Sequence, residues 1–229
     1  MNLRVVVRGF AALLLSLWLH TAWAAATTHA VAGNVIVTPA GGKPGKLALG
    51  QRVDTGASIR TEHGANAVLR FDDGQIVSVG SDSQFVITEY KFNAHQPKES
   101  SFVGSLLKGA VRAVTGVIGE TNKDNVKIKT PAATIGIRGT DFSLVLETRL
   151  YLQVLDGAIS ATNGGGEVTF SAANQPLGIV ASPQTAPRPA TIDELPVAIQ
   201  GVLRRFEAQP LSDRIRKPDP NDPTCSDRR

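Results

Sequence analysis

The sequence predicts an all-β protein with one short helix near its C-terminus, and three observations carry that expectation. Short apolar runs, several alternating with period two, recur over residues 30–180. Turn residues punctuate them, most clearly at Asp72-Asp73-Gly74. Helical periodicity is nearly absent until residues 191–206.

Val35-Ile36-Val37 opens the strand series. Residues 67–71 and 75–79 flank Asp72-Asp73-Gly74. Asp-Gly tolerates the positive φ of tight turns, so a hairpin is expected there. Residues 85–90 read as a strand with Phe85, Ile87 and Glu89 on one face and Val86, Thr88 and Tyr90 on the other. The polar stretch 91–101, with Pro97, reads as a loop. Val126-Lys127-Ile128-Lys129-Thr130 alternates cleanly, and residues 142–147 and 151–155 are apolar or β-branched runs of strand length. Gly164-Gly165-Gly166-Glu167 lacks the lysine and hydroxyl of a phosphate loop and reads as a hairpin turn joining 158–160 to 168–170. A loose repeat places glycine and a small or polar residue before a β-branched one at Gly33-Asn34-Val35, Gly109-Ala110-Val111 and Gly157-Ala158-Ile159. Glycine permits sharp corners where strands change direction, as a coiled or sandwich-like β architecture needs.

Ile192, Leu195, Ile199, Val202 and Phe206 fall at helical spacing, Thr191 with Glu194 fits a capping box, and Pro196 interrupts the pattern. Eight of the 13 prolines lie from Pro183 onward. Residues 181–210 are therefore expected to be a proline-rich linker with one amphipathic helix, and 211–229 a disordered basic tail. The β body is expected over 30–180. At the other end, Arg4 and Arg8 precede an apolar run too short for a comfortable membrane span, and Ala22-Trp23-Ala24 is a small-x-small pattern. Residues 1–24 thus read as a signal peptide, which implies a periplasmic or secreted protein with no stable membrane insertion after cleavage. An uncleaved anchor is the alternative. Cys225 is the sole cysteine, so the core has no internal disulfide to rest on.

The chain of 229 residues carries 24 Lys+Arg and 20 Asp+Glu, but residues 27–200 hold 15 of each and the excess lies at the two ends. A neutral body without an aromatic-studded basic stripe argues against a nucleic-acid binder. His29, in the expected N-terminal tail, and the loop histidines His63 and His95 give no preorganised base for a serine nucleophile. No residues fall at metal-ligand spacing, so neither metal nor cofactor is expected. Trp18 and Trp23 both lie in the leader, which leaves no tryptophan platform for a sugar-processing cleft. Strand-borne carboxylates acting as a hydrolase or lyase remain as the enzymatic alternative.

One stretch stands out, from Thr130-Pro131 through Gly136-Ile137-Arg138-Gly139-Thr140-Asp141-Phe142. Pro131 removes a ladder donor, the glycines allow close backbone approach, and Arg138 beside Asp141 puts a fork of donors next to a carboxylate. The expectation is a β-corner held by an Arg138 network to carbonyls or carboxylate, with a ligand site as the other reading. The stretch resembles the signature of the FecR domain family, a strand ending in Thr-Pro followed by a Gly-x-Arg-Gly-Thr-x-Phe turn. The resemblance extends upstream through residues 50–61, 67–74 and a turn at 106–111, and covers about 31–160. It implies an extracytoplasmic all-β domain with a twisted, solenoid-like strand arrangement; a β-sandwich is the alternative. In the best-known members this domain is the periplasmic part of a membrane regulator that relays a transporter signal to a cytoplasmic sigma factor. Only eight residues precede the apolar run here, so that cytoplasmic function is not expected. The reading that results is a non-catalytic envelope module, sensory or adaptor in kind, whose partner is an envelope protein or a cell-wall component.

Overall fold

The computed structural model describes residues 24–211. Its first strands are β1 (Ala24–Ala32), β2 (Val35–Thr38), β3 (Gly45–Lys46), β4 (Arg52–Asp54), β5 (Ser58–Thr61), β6 (Asn66–Phe71), β7 (Ile76–Val79) and β8 (Gln84–Lys91). The long β9 (Ser101–Val114) follows, then a short helix α1 (Val117–Thr121). The second half holds β10 (Val126–Lys129), β11 (Thr134–Ile137), β12 (Asp141–Leu146), β13 (Leu150–Asp156), β14 (Ala158–Asn163), β15 (Gly166–Ser171), β16 (Leu177–Val180), β17 (Arg188–Pro189) and α2 (Val197–Glu207).

Hydrogen bonding sorts these strands into two layers that share β9. One runs β4-β1-β6-β7-β9-β12-β13-β16-β17. The other runs β3-β2-β5-β8-β9-β10-β11-β14-β15. Every pairing is antiparallel except β9 with β10. β9 takes the central place in both, because residues 101–108 pair in the second layer and 109–114 in the first. The chain winds back and forth between the layers, and their facing side chains meet in one core that joins Leu69, Phe71 and Val77 to Ile59, Phe85 and Ile128. We call the first layer the covered sheet, because α2 packs on its outer side, and the second the bare sheet. The all-β class with a C-terminal helix is what the sequence predicts.

The corners are glycines. Gly33 and Gly157 sit where the chain leaves the covered sheet for the bare one, and Gly109 where β9 crosses the other way, all with positive φ. At Gly109 a Cβ would lie 2.5 Å from the Ser83 backbone, so the bend is closed to any side chain. Residues 106–111, expected as a turn, are thus a bend inside one continuous strand.

Three further expectations are corrected. The strand series begins at Ala24 rather than residue 30: β1 pairs with β4 and β6, Ala25 and Ala26 are fully buried, and His29 lies in this strand rather than in a tail. In β8, an irregularity between Ile87 and Glu89 inserts an extra residue. It turns Tyr90 inward with Phe85 and Ile87, and Glu89 outward with Val86, against the alternation read from the sequence. The capping box of Thr191 and Glu194 closes only a 3-10 turn at Ile192–Glu194. α2 starts afresh after Pro196, so Ile199, Leu203 and Phe206 face the sheet, with Leu203 in the place expected for Val202. The proline-rich stretch before it is anchored too, since Arg188–Pro189 pairs with β16 at the sheet edge, where a missing N–H is tolerated. The expected leader, apart from Ala24, and the expected tail beyond Leu211 lie outside the described residues.

Candidate functional site

The Thr130–Phe142 stretch forms the passage from the bare sheet to the covered one. The Thr130 hydroxyl accepts from the Ala132 and Ala133 N–H groups and donates to the Ala133 carbonyl at 2.9 Å, closing the Pro131 turn between β10 and β11. Gly136 lies under the Ser160 hydroxyl, which a Cβ would approach to 2.7 Å. Gly139 takes a left-handed φ of 67° at the crossing. Thr140 is buried and locked to Thr115, whose hydroxyl accepts from the Thr140 N–H and donates to its carbonyl, both at 2.7 Å. Phe142 is fully buried in the core.

Arg138 departs from expectation. It is exposed, and what it contributes is a backbone N–H donated to the Ala158 carbonyl. The arginine that holds the corner is Arg112, in the strand next to β12. Its Nε donates to Asp141 Oδ1 at 2.8 Å and its NH2 to Oδ2 at 2.6 Å. Its remaining amino group donates to the carbonyls of Phe206 and Gln209, at the C-terminal end of α2. Arg112 is 5% exposed. A buried guanidinium is costly unless its donors find acceptors, and here one carboxylate and two carbonyls accept from four of its five N–H groups; a cation at a helix C-terminus also complements the helix dipole. Arg112 sits in an apolar strand 29 residues from Asp141 and 94 from Phe206, with no local signal to single it out. Only its place among apolar neighbours, Val111-Arg112-Ala113, hints that it is buried and hence paired.

A second buried acid supports the fold from the Asp72-Asp73-Gly74 turn. Asp73 is 1% exposed. Its carboxylate accepts from the Gln75 and Ile118 N–H groups and the Tyr90 hydroxyl, and its carbonyl accepts from the Val117 N–H at the start of α1. Burial nonetheless outweighs these bonds and pushes its carboxyl up to about 6. Burial likewise raises the Tyr90 phenol.

A groove opens beside α2 where β9 bends. Two adjoining cavities of about 410 and 520 Å³ share His63, Ser81, Ala110, Val202 and Arg205. Its floor is apolar, with Val145 and a Leu107 that is 47% exposed. Its rim is charged with both signs, from Asp82, Glu147, Lys108 and Arg205. His63 stands at the mouth, its Nδ1 3.0 Å from Asp82 Oδ2. The Ser81 hydroxyl donates to the same carboxylate oxygen at 2.6 Å. That bond and the His63 contact hold the Asp82 carboxyl below its usual range. Serine and histidine therefore converge on one acid instead of on each other, so the serine–histidine pair of a hydrolytic triad is not formed at Ser81.

Residues 57–160 match the family described as FecR protein. No curated protein matches the sequence. Among solved structures, the chain resembles one described as a cell surface anchoring domain, at 28% identity over 27% of this chain and 80% of that one, with a TM-score of 0.26. Two crystal structures described as an anti-sigma factor from Parabacteroides distasonis match at 12% identity over 56% of this chain, with TM-scores of 0.40 and 0.39. The matched part spans 61% of each of those two chains. The Thr130–Phe142 crossing, the Asp72-Asp73-Gly74 hairpin and the bend of β9 at Gly109 all lie within the family match, and the chain carries a FecR domain over residues 57–160.

Proposed function

We propose that this protein is a non-catalytic regulatory module of the cell envelope, exported by its leader, that receives a segment of a protein partner in the groove beside α2. The observation that carries the reading is the groove itself, an apolar floor inside a rim of mixed charge, built where β9 changes sheets and roofed by α2. Such a surface suits a peptide with one or two apolar side chains and charged neighbours. The chemistry on offer supports binding over turnover: Asp141 is committed to Arg112, and the Ser81 hydroxyl to Asp82. Among the described residues no helix is long and apolar enough to cross a membrane.

The test is crosslinking from the groove in the native envelope, with a photoreactive residue in place of Leu107 or Val202 and, as control, in place of Lys43 in the β2–β3 turn. The same protein partner captured from both groove positions and not from the control is the expected result. Equal capture from all three positions, or none from the groove, overturns the reading. Mass spectrometry of the purified protein decides the leader: a first residue at Ala25 or within the next few residues supports export and release, whereas an intact Met1 in a membrane fraction favours a regulator held by its leader.

A further inference from the structure

The first strand sets a condition on removal of the leader. Ala22-Trp23-Ala24 is the pattern that places the cut between Ala24 and Ala25, and β1 starts at Ala24 itself, so no spacer separates that bond from the folded body. Ala25 and Ala26 are fully buried, and so is Thr28. β1 is not an edge strand here: Ala26 lies between Val53 of β4 and Phe71 of β6, and Thr27 between Arg52 and Arg70. The backbone is bonded on both sides as well. The Ala25 carbonyl accepts from the Asp72 N–H at 3.4 Å, while Thr28 donates its N–H to the Gln51 carbonyl at 2.9 Å and accepts from the Gly50 N–H at 2.8 Å.

A protease takes its substrate as an extended chain and reads it along a free backbone edge, much as a strand is added to a sheet. A buried segment paired at both edges offers no such edge, and cutting concentrates instead at exposed, unpaired chain. Residues 25–28, which follow the bond, therefore cannot enter a protease while β1 is docked. The charge that the cut creates is accommodated. Hydrolysis of the Ala24–Ala25 amide consumes a water and leaves a carboxylate on Ala24 and an ammonium on Ala25. Asp54 lies across from Ala24 in register, so the new ammonium stands at an acidic position and the trimmed strand keeps its place.

We infer that the fold closes its own processing site: an envelope protease hydrolyses the Ala24–Ala25 bond only before β1 docks between β4 and β6, and a chain that docks first keeps its leader. The inference rests on residues 1–24 being a leader. It makes the released domain and the domain held by its leader two fates of one chain, chosen by whether cutting or docking comes first.

The test compares three substrates of a purified signal peptidase. They are a peptide of residues 15–35, the folded full chain in mild detergent, and that chain with about ten Gly and Ser residues inserted between Ala24 and Ala25 as a flexible spacer. The peptide should be cut after Ala24. The parent chain should be cut about a hundredfold more slowly or less, because cutting must wait for β1 to open. The spacer variant, which keeps every strand, should be cut at close to the peptide's rate. Cutting of the parent at the peptide's rate overturns the inference and leaves the leader reading standing. So does a spacer variant as resistant as the parent, because the detergent and not the sheet would then be shielding the bond. A peptide that is not cut overturns the leader reading and the inference with it.

Discussion

The two sheets have the same number of strands, the same central strand and one common core, yet their outer faces are opposites. On the covered sheet the outward residues Ala110, Val145, Tyr151 and Ile179 pack under Leu195, Ile199, Leu203 and Phe206, and Val68, Ile76 and Val114 pack under Leu211. Strands there are buried on both sides, as in β7 and β16, where all four residues are buried. On the bare sheet, strands alternate, as in β10, where Val126 and Ile128 face in and Lys127 and Lys129 face out. The difference teaches where mutation should be costly. One face holds the C-terminal segment in place, while the other is free to meet a partner.

The largest expected effect follows from Arg112, a buried charge on the covered face. Arg112→Ala leaves the Asp141 carboxylate and the terminal carbonyls of α2 buried without their donor. Removing one member of a buried pair typically costs about 3–5 kcal/mol. Denaturant unfolding should show that loss, and limited proteolysis should show α2 cut faster than in the parent protein. A loss under 1 kcal/mol would mean that the clamp does not hold the helix.

Next comes the apolar part of the same contact. Leu203 is 1% exposed, and Leu203→Ala should cost about 2–4 kcal/mol through lost burial and a residual cavity. Val197 is 82% exposed on the same helix, and Val197→Ala should fall within about 0.5 kcal/mol. Equal losses at the two positions would show that α2 does not pack as described.

The third prediction concerns Asp73, inside the core between the two faces. Its folded-state carboxyl is raised to about 6 from 3.8, so the folded protein holds the proton more tightly than the unfolded chain. The stability this confers is fully present below about pH 4 and is lost as pH rises through 6, to a total of at most about 3 kcal/mol. Asp73→Asn cannot titrate, and its amide would confront the N–H groups of Gln75 or Ile118. The parent should therefore exceed the variant by most at pH 4, and the gap should narrow by pH 7.5. Stability curves at several pH values check the sign, and a gap that widens with pH would contradict it.

Much of this architecture is legible in the sequence, and what is not has physical causes. The Asp72-Asp73-Gly74 hairpin, the β14–β15 hairpin at Gly164–Gly166 and the strands at Val126 and Phe142 follow from local turn chemistry and alternation. The glycines at 33, 109 and 157 were readable as corners, because a positive φ is a local demand. β1 escapes notice because its alanines and threonines are weakly patterned and gain their burial from β4 and β6. β9 hides because one strand serves two sheets, so its inward face changes at Gly109. Arg112 is illegible for the strongest reason: its partners are set entirely by tertiary structure. The FecR-like motif locates the corner correctly, but the motif's own arginine is the wrong one to hold it.

The smallest expected effect is the most discriminating for that last point. Arg138 lies between Ile137 and Gly139 in the motif, and the sequence places its guanidinium next to Asp141. In the structure that carboxylate already has both oxygens bonded to Arg112, and the Arg138 side chain is exposed. Arg138→Ala should therefore change stability by no more than about 0.5 kcal/mol, since the backbone N–H that bonds the Ala158 carbonyl survives the substitution. A loss of 2 kcal/mol or more in denaturant unfolding would return the corner to Arg138. If stability is unchanged while crosslinking to a partner is lost, then an arginine the fold does not need is one that the partner does.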